Sequence, residues 1–236
     1  MTERIKGGRL WIGGTITALL ISGALFTWWS VNRADHAMRD DLLQQANQVA
    51  PAITLRRLQA LTGTVADLTT PDYLRLKEQL ADGQKANPGC RFAYLMGRKP
   101  DGRVFFFVDN EPVGSEHESP AGQIYKEVPS EYLRVFAEGK ALTVGPVTDR
   151  WGTWMTALIP LTDPASGELI AVMGMDFYAR AWNLDVASRV ALSVGLLFVL
   201  LIGAGAVLLS SVRSVEVSPK PVLRRLCYPW WPLYCS

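Results

Sequence analysis

Hydrophobic residues concentrate at two places in the chain of 236 residues. The run from Leu10 to Val31 and the run from Val190 to Val212 contain no charged residue. Each run is long enough for a helix that crosses a hydrocarbon core about 30 Å thick, which needs roughly 20 apolar residues. Buried core helices can be equally apolar, but they are usually shorter. The pattern therefore predicts two membrane-spanning helices with one domain between them.

The basic residues beside the two runs predict the orientation of the chain. Arg4, Lys6 and Arg9 precede the first run, four basic residues follow the second, and the segment between them has 17 basic against 20 acidic residues. Basic flanks resist translocation, so both termini are expected in the cytoplasm. The predicted segments are a cytoplasmic N-terminus (1–9), a transmembrane helix (10–31), an extracytoplasmic domain (32–189), a second transmembrane helix (190–212) and a short cytoplasmic tail (213–236).

Trp28 and Trp29 close the first run, as aromatic rings do when they settle at the headgroup level of a bilayer. The alternative is a cleaved signal peptide, because Ser22-Gly23-Ala24 fits a small-residue cleavage site. The apolar run continues past that site, which favours an uncleaved anchor.

A helical period continues beyond the first run, with Leu42, Ala46, Val49 and Ile53 on one stripe. Pro51 is expected to kink or interrupt this helix. The stripe is expected to pack on the domain, on a partner chain in a homodimer, or on both.

The period changes from helical to strand-like after a further helix, which is predicted to begin at Thr70-Pro71 and to stop at Asn87-Pro88-Gly89. Strands are predicted at residues 92–96, 104–108, 143–147, 154–161 and 169–177, with a short helix at 129–138. Helices followed by strands predict an α+β domain whose antiparallel sheet carries its helices on one face.

Four stretches resemble the amino-terminal sensory segments of bacterial membrane-bound sensor histidine kinases and related receptors. They are CRFAYLM (90–96), SPAGQIY (119–125), GPVTDRWGTW (145–154) and GMD (174–176). The resemblance covers roughly residues 1–212. It implies an extracytoplasmic Cache domain with a PAS-like fold, built on an antiparallel sheet and a long N-terminal helix. It also implies a homodimer in the bacterial inner membrane that works in signal transduction, as in two-component systems.

The resemblance also implies a pocket for a small molecule between the sheet and its crossover. In such sensors a strand arginine grips a carboxylate and a late aspartate accepts an amine, so a carboxylate or amino-acid-like ligand is expected. The residues that this implies as ligand-binding here are Arg150, Trp151, Trp154, Asp176, Tyr125 and Tyr94. An arginine fork donates two hydrogen bonds and stays charged, and the aromatic rings supply rigid walls.

Each of these residues has a structural alternative. Asp149 and Arg150 could form a surface ion pair at a turn, and Trp151 and Trp154 could be ordinary core residues. Asp176 could instead cap or orient the chain where it leaves the sheet.

No motif in the sequence indicates an enzyme, a metal site or a cofactor. His36 and His117 are the only histidines and do not stand at metal-ligand spacing. Residues 116–118 are expected to form a solvated loop tip. Nucleic acid is not an expected partner, because basic and acidic residues alternate along the middle segment. Cys90 is the only cysteine of that segment and is expected to be a small buried hydrophobe or an intermolecular bridge.

The predicted function is that of a membrane-anchored extracytoplasmic small-molecule sensor for transmembrane signalling. Receptors of the kind that the sequence resembles continue past the second span into an output domain, whereas about 24 residues follow it here. The chain is therefore interpreted as a truncated sensor kinase-type receptor. The alternative is a membrane-tethered binding or structural accessory protein without signalling output.

Overall fold

A computed structural model describes residues 2–216, with side chains described for residues 13–207 and for Ser210. Predictions about Cys227, Cys235 and most of the tail at 213–236 lie outside these residues. The chain forms two compact units, Thr27–Ser193 and the pair of segments Met1–Phe26 and Val194–Ser236.

The strands form one antiparallel sheet in the order β2-β1-β5-β4-β3. The elements are α1 (Thr2–Val49), α2 (Leu55–Gln59), α3 (Pro71–Ala86), β1 (Cys90–Arg98), β2 (Val104–Asp109), α4 (Ser130–Glu138), β3 (Leu142–Asp149), β4 (Gly152–Thr162), β5 (Leu169–Tyr178) and α5 (Ala179–Glu216). Single 3₁₀ segments lie at Ala50–Ala52 and Val65–Thr69. The predicted α+β class, antiparallel sheet and long N-terminal helix are confirmed, and the fold is PAS-like.

Proline and a capping threonine set the helix boundaries that the sequence predicted. α1 ends at Val49 because Pro51 has no N–H to donate and its ring obstructs the preceding turn. α3 begins with Pro71, and the side-chain oxygen of Thr70 accepts the backbone N–H of Tyr73 at 3.2 Å. That bond satisfies one of the amides that the first turn of a helix leaves unpaired.

The larger core lies on the sheet face that α1 and α3 cover. The predicted stripe packs in this core, and each of its residues is at most 6% exposed: Leu42, Ala46 and Val49 of α1, and Ile53 after the 3₁₀ turn. Tyr73, Leu76 and Leu80 of α3 join it, together with Ala93, Leu95, Met173 and Met175 from the central strands. The stripe therefore packs on its own domain and is not free to form a seam with a partner chain.

The position of α4 contradicts the prediction that all helices lie on one sheet face. Tyr132 and Val135 of α4 pack with Tyr94, Leu158 and Val172 in a second core on the opposite face. Strand side chains alternate between faces, so a sheet that is apolar on both sides needs cover on both. The short amphipathic α4 gives that cover and ends at Gly139, whose φ of 63° is left-handed.

The terminal segments expose apolar side chains throughout the part whose side chains the structure describes. Two helical stretches, within Gly13–Ala52 and Ala179–Val207, are long and apolar enough to cross a membrane. Inside the unit, a Cβ at Gly23 would lie 3.0 Å from a methyl of Leu201, so the two segments pack closely. Side chains such as Leu20 and Ile202 are exposed. Soluble monomers rarely leave contiguous apolar surface of this extent uncovered.

The larger core predicts different effects for two leucines of α3. Leu76 is fully buried whereas Leu74 is 44% exposed. Leu76→Ala should lower the free energy of unfolding by about 2–5 kcal/mol, because it removes buried methyl groups and leaves a cavity. Leu74→Ala, the matched control, should lower it by less than about 1 kcal/mol. Urea denaturation of the full chain in detergent measures both, and equal losses would contradict the packing of α3.

Candidate functional site

A pocket opens on the α4 face of the sheet. Its cavity volume is about 20 Å³. We call it the aromatic pocket; it is lined by Phe92, Tyr94, Phe106, Asp109, His117, Ser119, Tyr125, Asp149, Trp151 and Asp176. This volume has room for one or two water molecules. A larger ligand therefore requires the lining side chains or the loop that carries His117 to move outward.

Strand register brings together the residues at the centre of the site. Phe92 of β1 lies opposite Asp176 of β5, and Tyr94 lies opposite Gly174. On the other side of β5, Thr156 of β4 also pairs with Asp176. Side chains two residues apart on a strand share a face, so these residues all face α4.

Gly174 gives the Tyr94 ring its position. A Cβ at Gly174 would overlap ring atoms of Tyr94, so the ring can lie across β5 only because this residue has no side chain. In that position the Tyr94 hydroxyl reaches Asp176 at 3.0 Å. Glycine is needed here for close approach and not for its backbone conformation.

Asp176 is a buried carboxylate whose two oxygens differ in their partners. Oδ1 accepts the hydroxyl of Thr156 at 2.6 Å and that of Tyr94 at 3.0 Å. The Tyr132 hydroxyl of α4 in turn donates to the Thr156 hydroxyl at 3.0 Å. Oδ2 accepts no hydrogen bond from any residue that the structure describes. Burial raises the pKa of Asp176 to about 7 against the opposing effect of the two hydroxyls.

Asp149 organises the turn between β3 and β4. Its Oδ1 accepts the backbone N–H groups of Trp151 and Gly152 at 2.9 and 3.1 Å, and the indole N–H of Trp154 at 3.0 Å. Its Oδ2 accepts the hydroxyl of Tyr125 at 3.0 Å. Asp149 thereby fixes the two tryptophans and one tyrosine that the sequence predicted as site residues.

Asp109 fixes the loop after β2. One oxygen accepts the ammonium of Lys77 at 2.8 Å and the other accepts the backbone N–H of Ser119 at 2.5 Å. Lys77 also reaches Glu118 at 3.1 Å. Burial raises the pKa of Asp109 although Lys77 opposes the effect. This ion-pair network holds His117 and Ser119 against the aromatic pocket.

The structure brings together four of the six sequence-predicted site residues, since Tyr94, Tyr125, Trp151 and Asp176 all line the aromatic pocket. Trp154 lies behind the lining, 3% exposed, with its ring 5.2 Å from that of Phe92. Arg150 lies outside the pocket.

Arg150 is in the environment of a surface residue. Its guanidinium pairs with Glu127 at 3.1 Å and stacks over the ring of Trp151 at 4.3 Å, with about 40% of its side chain exposed. The geometry therefore gives no support to a grip on a ligand carboxylate by Arg150. The surface ion pair that the sequence left open is present, with Glu127 in place of Asp149.

Sequence reasoning did not select the other six lining residues as site residues. Phe92 could have been found from the alternation of β1, because it shares a face with Tyr94. The sequence could not link Asp109, His117 and Ser119 to the site, since their positions depend on Lys77, 32 residues before Asp109. Among the residues whose side chains are described, no group of three or more His, Cys, Asp or Glu could hold a metal ion.

Comparisons with known proteins find likeness in solved structures alone. No family model matches the sequence, and no curated protein is significantly similar to it. The ligand-binding domain of the Campylobacter jejuni chemoreceptor Tlp3 in complex with L-valine is 14% identical with a TM-score of 0.39, over 73% of this chain and 66% of that one. The complex of the same domain with 4-methylisoleucine is 12% identical with a TM-score of 0.42, over 73% and 64%.

A third structure, the sensory domain of Tlp3 (CcmL), is 13% identical with a TM-score of 0.40, over 76% of this chain and 68% of that one. This chain thus spans about two thirds of the length of those sensory domains. Likeness at such TM-scores carries no weight in the assignment of a function, which depends on the geometry of the aromatic pocket.

The raised pKa of Asp176 predicts a pH-dependent stability. The folded state keeps a proton up to pH about 7, whereas the unfolded state releases it near pH 4. The stability that the proton gives is complete below about pH 4 and is lost as the pH rises through 7. Asp176→Asn binds no proton, so it should be more stable than the parent at about pH 8, by up to about 4 kcal/mol, and similar at about pH 4.

Urea denaturation of the full chain at both pH values measures this difference. Asp82→Asn is the matched control, because Asp82 lies on the exposed surface of α3 with 79% of its side chain accessible. An Asp176→Asn variant with no pH-dependent advantage over the parent would show that Asp176 is ionised in the folded protein.

Proposed function

We propose that the protein is a membrane-anchored extracytoplasmic sensor that binds a small molecule in the aromatic pocket. The observation that carries the proposal is the buried Asp176, which faces a pocket with aromatic walls and has one oxygen that accepts no hydrogen bond from the described residues. Mostly apolar walls with a few converging polar groups are typical of ligand sites. A carboxyl group with a strongly raised pKa in a pocket also favours a functional site.

The path from the pocket to the signalling helices is short. β5 carries Asp176 and ends at Tyr178, and α5 begins at the next residue, Ala179. A ligand contact at Asp176 therefore lies three residues from the helix that contains the second predicted span. A shift of β5 on binding would pass into α5 without an intervening flexible linker.

The first helix is tied to the same sheet and to α5. Arg39 of α1 donates to the backbone carbonyl of Gly145 in β3 at 3.0 Å, and its own carbonyl accepts the Thr143 hydroxyl at 3.0 Å. Asp35 of α1 accepts the indole N–H of Trp182 in α5 at 2.8 Å. A ligand that prefers one arrangement of the sheet would thus bias the packing of α1 and α5, which is a population shift.

Membrane anchoring is supported by the apolar exterior of the terminal segments and by the basic residues beside them. We infer a two-pass protein of the bacterial inner membrane, with spans at 10–31 and 190–212 and the domain at 32–189 outside. A homodimer that signals to a kinase-type output completes the proposal. The inferred dimer contact excludes the stripe of α1, which is buried in its own domain.

Binding in the aromatic pocket is tested by a thermal-shift screen of the full chain in detergent against small amines, amino acids and carboxylic acids. A ligand should raise the unfolding midpoint, because it binds the folded state. Trp151→Ala should remove that rise, since it takes away one wall of the pocket. Val65→Ala, at a site 72% exposed and outside the pocket, should keep it. A ligand that shifts both variants equally would place the binding site elsewhere.

The orientation in the membrane is tested with an impermeant thiol reagent on intact cells. Val113→Cys lies on an exposed loop of the outer domain and should be labelled. The parent should stay unlabelled, because Cys90 is buried and Cys227 and Cys235 are predicted to be cytoplasmic. Labelling of the parent, with no gain from Val113→Cys, would reverse the proposed topology.

A further inference from the structure

We propose that the ligand of the aromatic pocket is a small organic cation, an amine or alkylammonium ion, that carries no carboxylate group. The inference rests on the proposed function and names the ligand class of the same site. It departs from the carboxylate or amino-acid-like ligand that the sequence resemblance implies.

The charged residues of the lining are all acids. Asp109, Asp149 and Asp176 contribute three carboxyl groups, while neither lysine nor arginine is among the residues that line the pocket. A ligand carboxylate would enter this site next to buried acids and without a counter-charge, which is strongly unfavourable in a region of low polarity. A cationic ligand would instead be attracted by these carboxyl groups.

The basic residues around the pocket are already paired with other acids. The pairs are Arg91 with Glu111, Lys77 with Asp109 and Glu118, and Arg150 with Glu127. A ligand carboxylate could recruit one of these cations only by breaking an existing ion pair. The pocket is therefore acidic because the fold pairs the nearby basic residues with other acids, and not because of one residue alone.

Asp176 is the acid that remains available to a ligand. Both oxygens of Asp109 and of Asp149 accept protein hydrogen bonds. Oδ2 of Asp176 accepts none from the described residues, although Asp176 is 95% buried and lines the pocket. An N–H group of an ammonium ion, or the positive edge of an alkylammonium ion, would complete its shell.

Three aromatic rings line the same pocket as this carboxylate. The ring centroids of Phe106, Tyr125 and Trp151 lie 5.3 to 6.0 Å from one another. The faces of such rings attract cations, and clusters of them bind alkylated ammonium groups. The aromatic lining and the Asp176 oxygen that accepts no hydrogen bond from the described residues favour the same ligand charge by two independent interactions.

The protonation of Asp176 couples cation binding to pH. Its neighbours are Tyr94 and Cys90 on β1, Thr156 on β4, Tyr132 on α4, Asp149 on β3 and Tyr125 on the loop before α4. None of these neighbours is a cation that would hold the carboxylate ionised. Because its pKa is about 7, a cation must displace a proton below that pH, so affinity should fall as the solution becomes acidic.

Two series of matched compounds test the ligand class by calorimetry on the full chain in detergent. One series is choline, its neutral isostere 3,3-dimethylbutanol and its carboxylate analogue glycine betaine. The other is isobutylamine, isobutanol and L-valine. We expect the cation of at least one series to bind, and its neutral and carboxylate counterparts to bind at least about tenfold more weakly.

Variants connect the binding to the site. Asp176→Asn should weaken cation binding by at least about tenfold and remove its loss between about pH 8 and about pH 6. His117 also lines the pocket, so His117→Asn serves as a control within the lining and should keep the pH dependence. Asp82→Asn should bind like the parent.

The outcomes separate the two proposals. Valine or betaine that binds as tightly as its cation, and loses affinity in Trp151→Ala, would overturn the cation assignment and leave the pocket as a sensor site. A neutral alcohol that binds as tightly as its cation would do the same, and would indicate that Asp176 stays protonated. No binding by any of the six compounds at millimolar concentration overturns the cation assignment, and the wider screen then decides the sensor proposal by itself.

Discussion

The burial of one carboxyl group in the middle of an antiparallel sheet determines the α4 side of this domain. Asp176 lies on the central strand β5, where it is flanked by β1 and β4. A buried acid is tolerated when it is neutral or hydrogen-bonded, and here Thr156 and Tyr94 supply hydroxyl groups from the two flanking strands. The hydroxyl of Tyr132 on α4 donates a hydrogen bond to Thr156 and so ties α4 to the same carboxyl group. The position of α4, the tilt of Tyr94 and the pocket beside them all depend on this arrangement.

The two sheet faces divide structural and functional work. The face under α1 and α3 is a core made mainly of aliphatic residues and methionines, which stabilises the domain. The face under α4 holds hydroxyls, carboxylates and aromatic rings around a pocket, and these groups are less well suited to stability than to recognition. Strand side chains alternate between the two environments, so a shift of a strand on the pocket side would also move residues that pack against α1 and α3.

Local signals predicted most of the fold, because its boundaries are set by local chemistry. Pro51 ends α1, Thr70 caps α3 and Gly139 ends α4, and each effect requires only neighbouring residues. The side of the sheet that α4 covers could not be predicted, since it depends on the order of strands that are distant in sequence. Tyr94, Tyr125, Trp151 and Asp176 were grouped through family resemblance, and all four line the pocket. The resemblance also grouped Arg150 with them, although an ion pair with Glu127 holds Arg150 at the surface.

Gly174 shows how such a site constrains the inheritance of its sequence. Its missing side chain makes room for the Tyr94 ring, and that ring brings a hydroxyl to Asp176. Glycine, tyrosine and aspartate therefore form a linked trio across β1 and β5, in which a change at one position removes the reason for the other two. A replacement at one of these positions is therefore expected to relax the constraint on the other two, so relatives of this chain should vary at the three positions together.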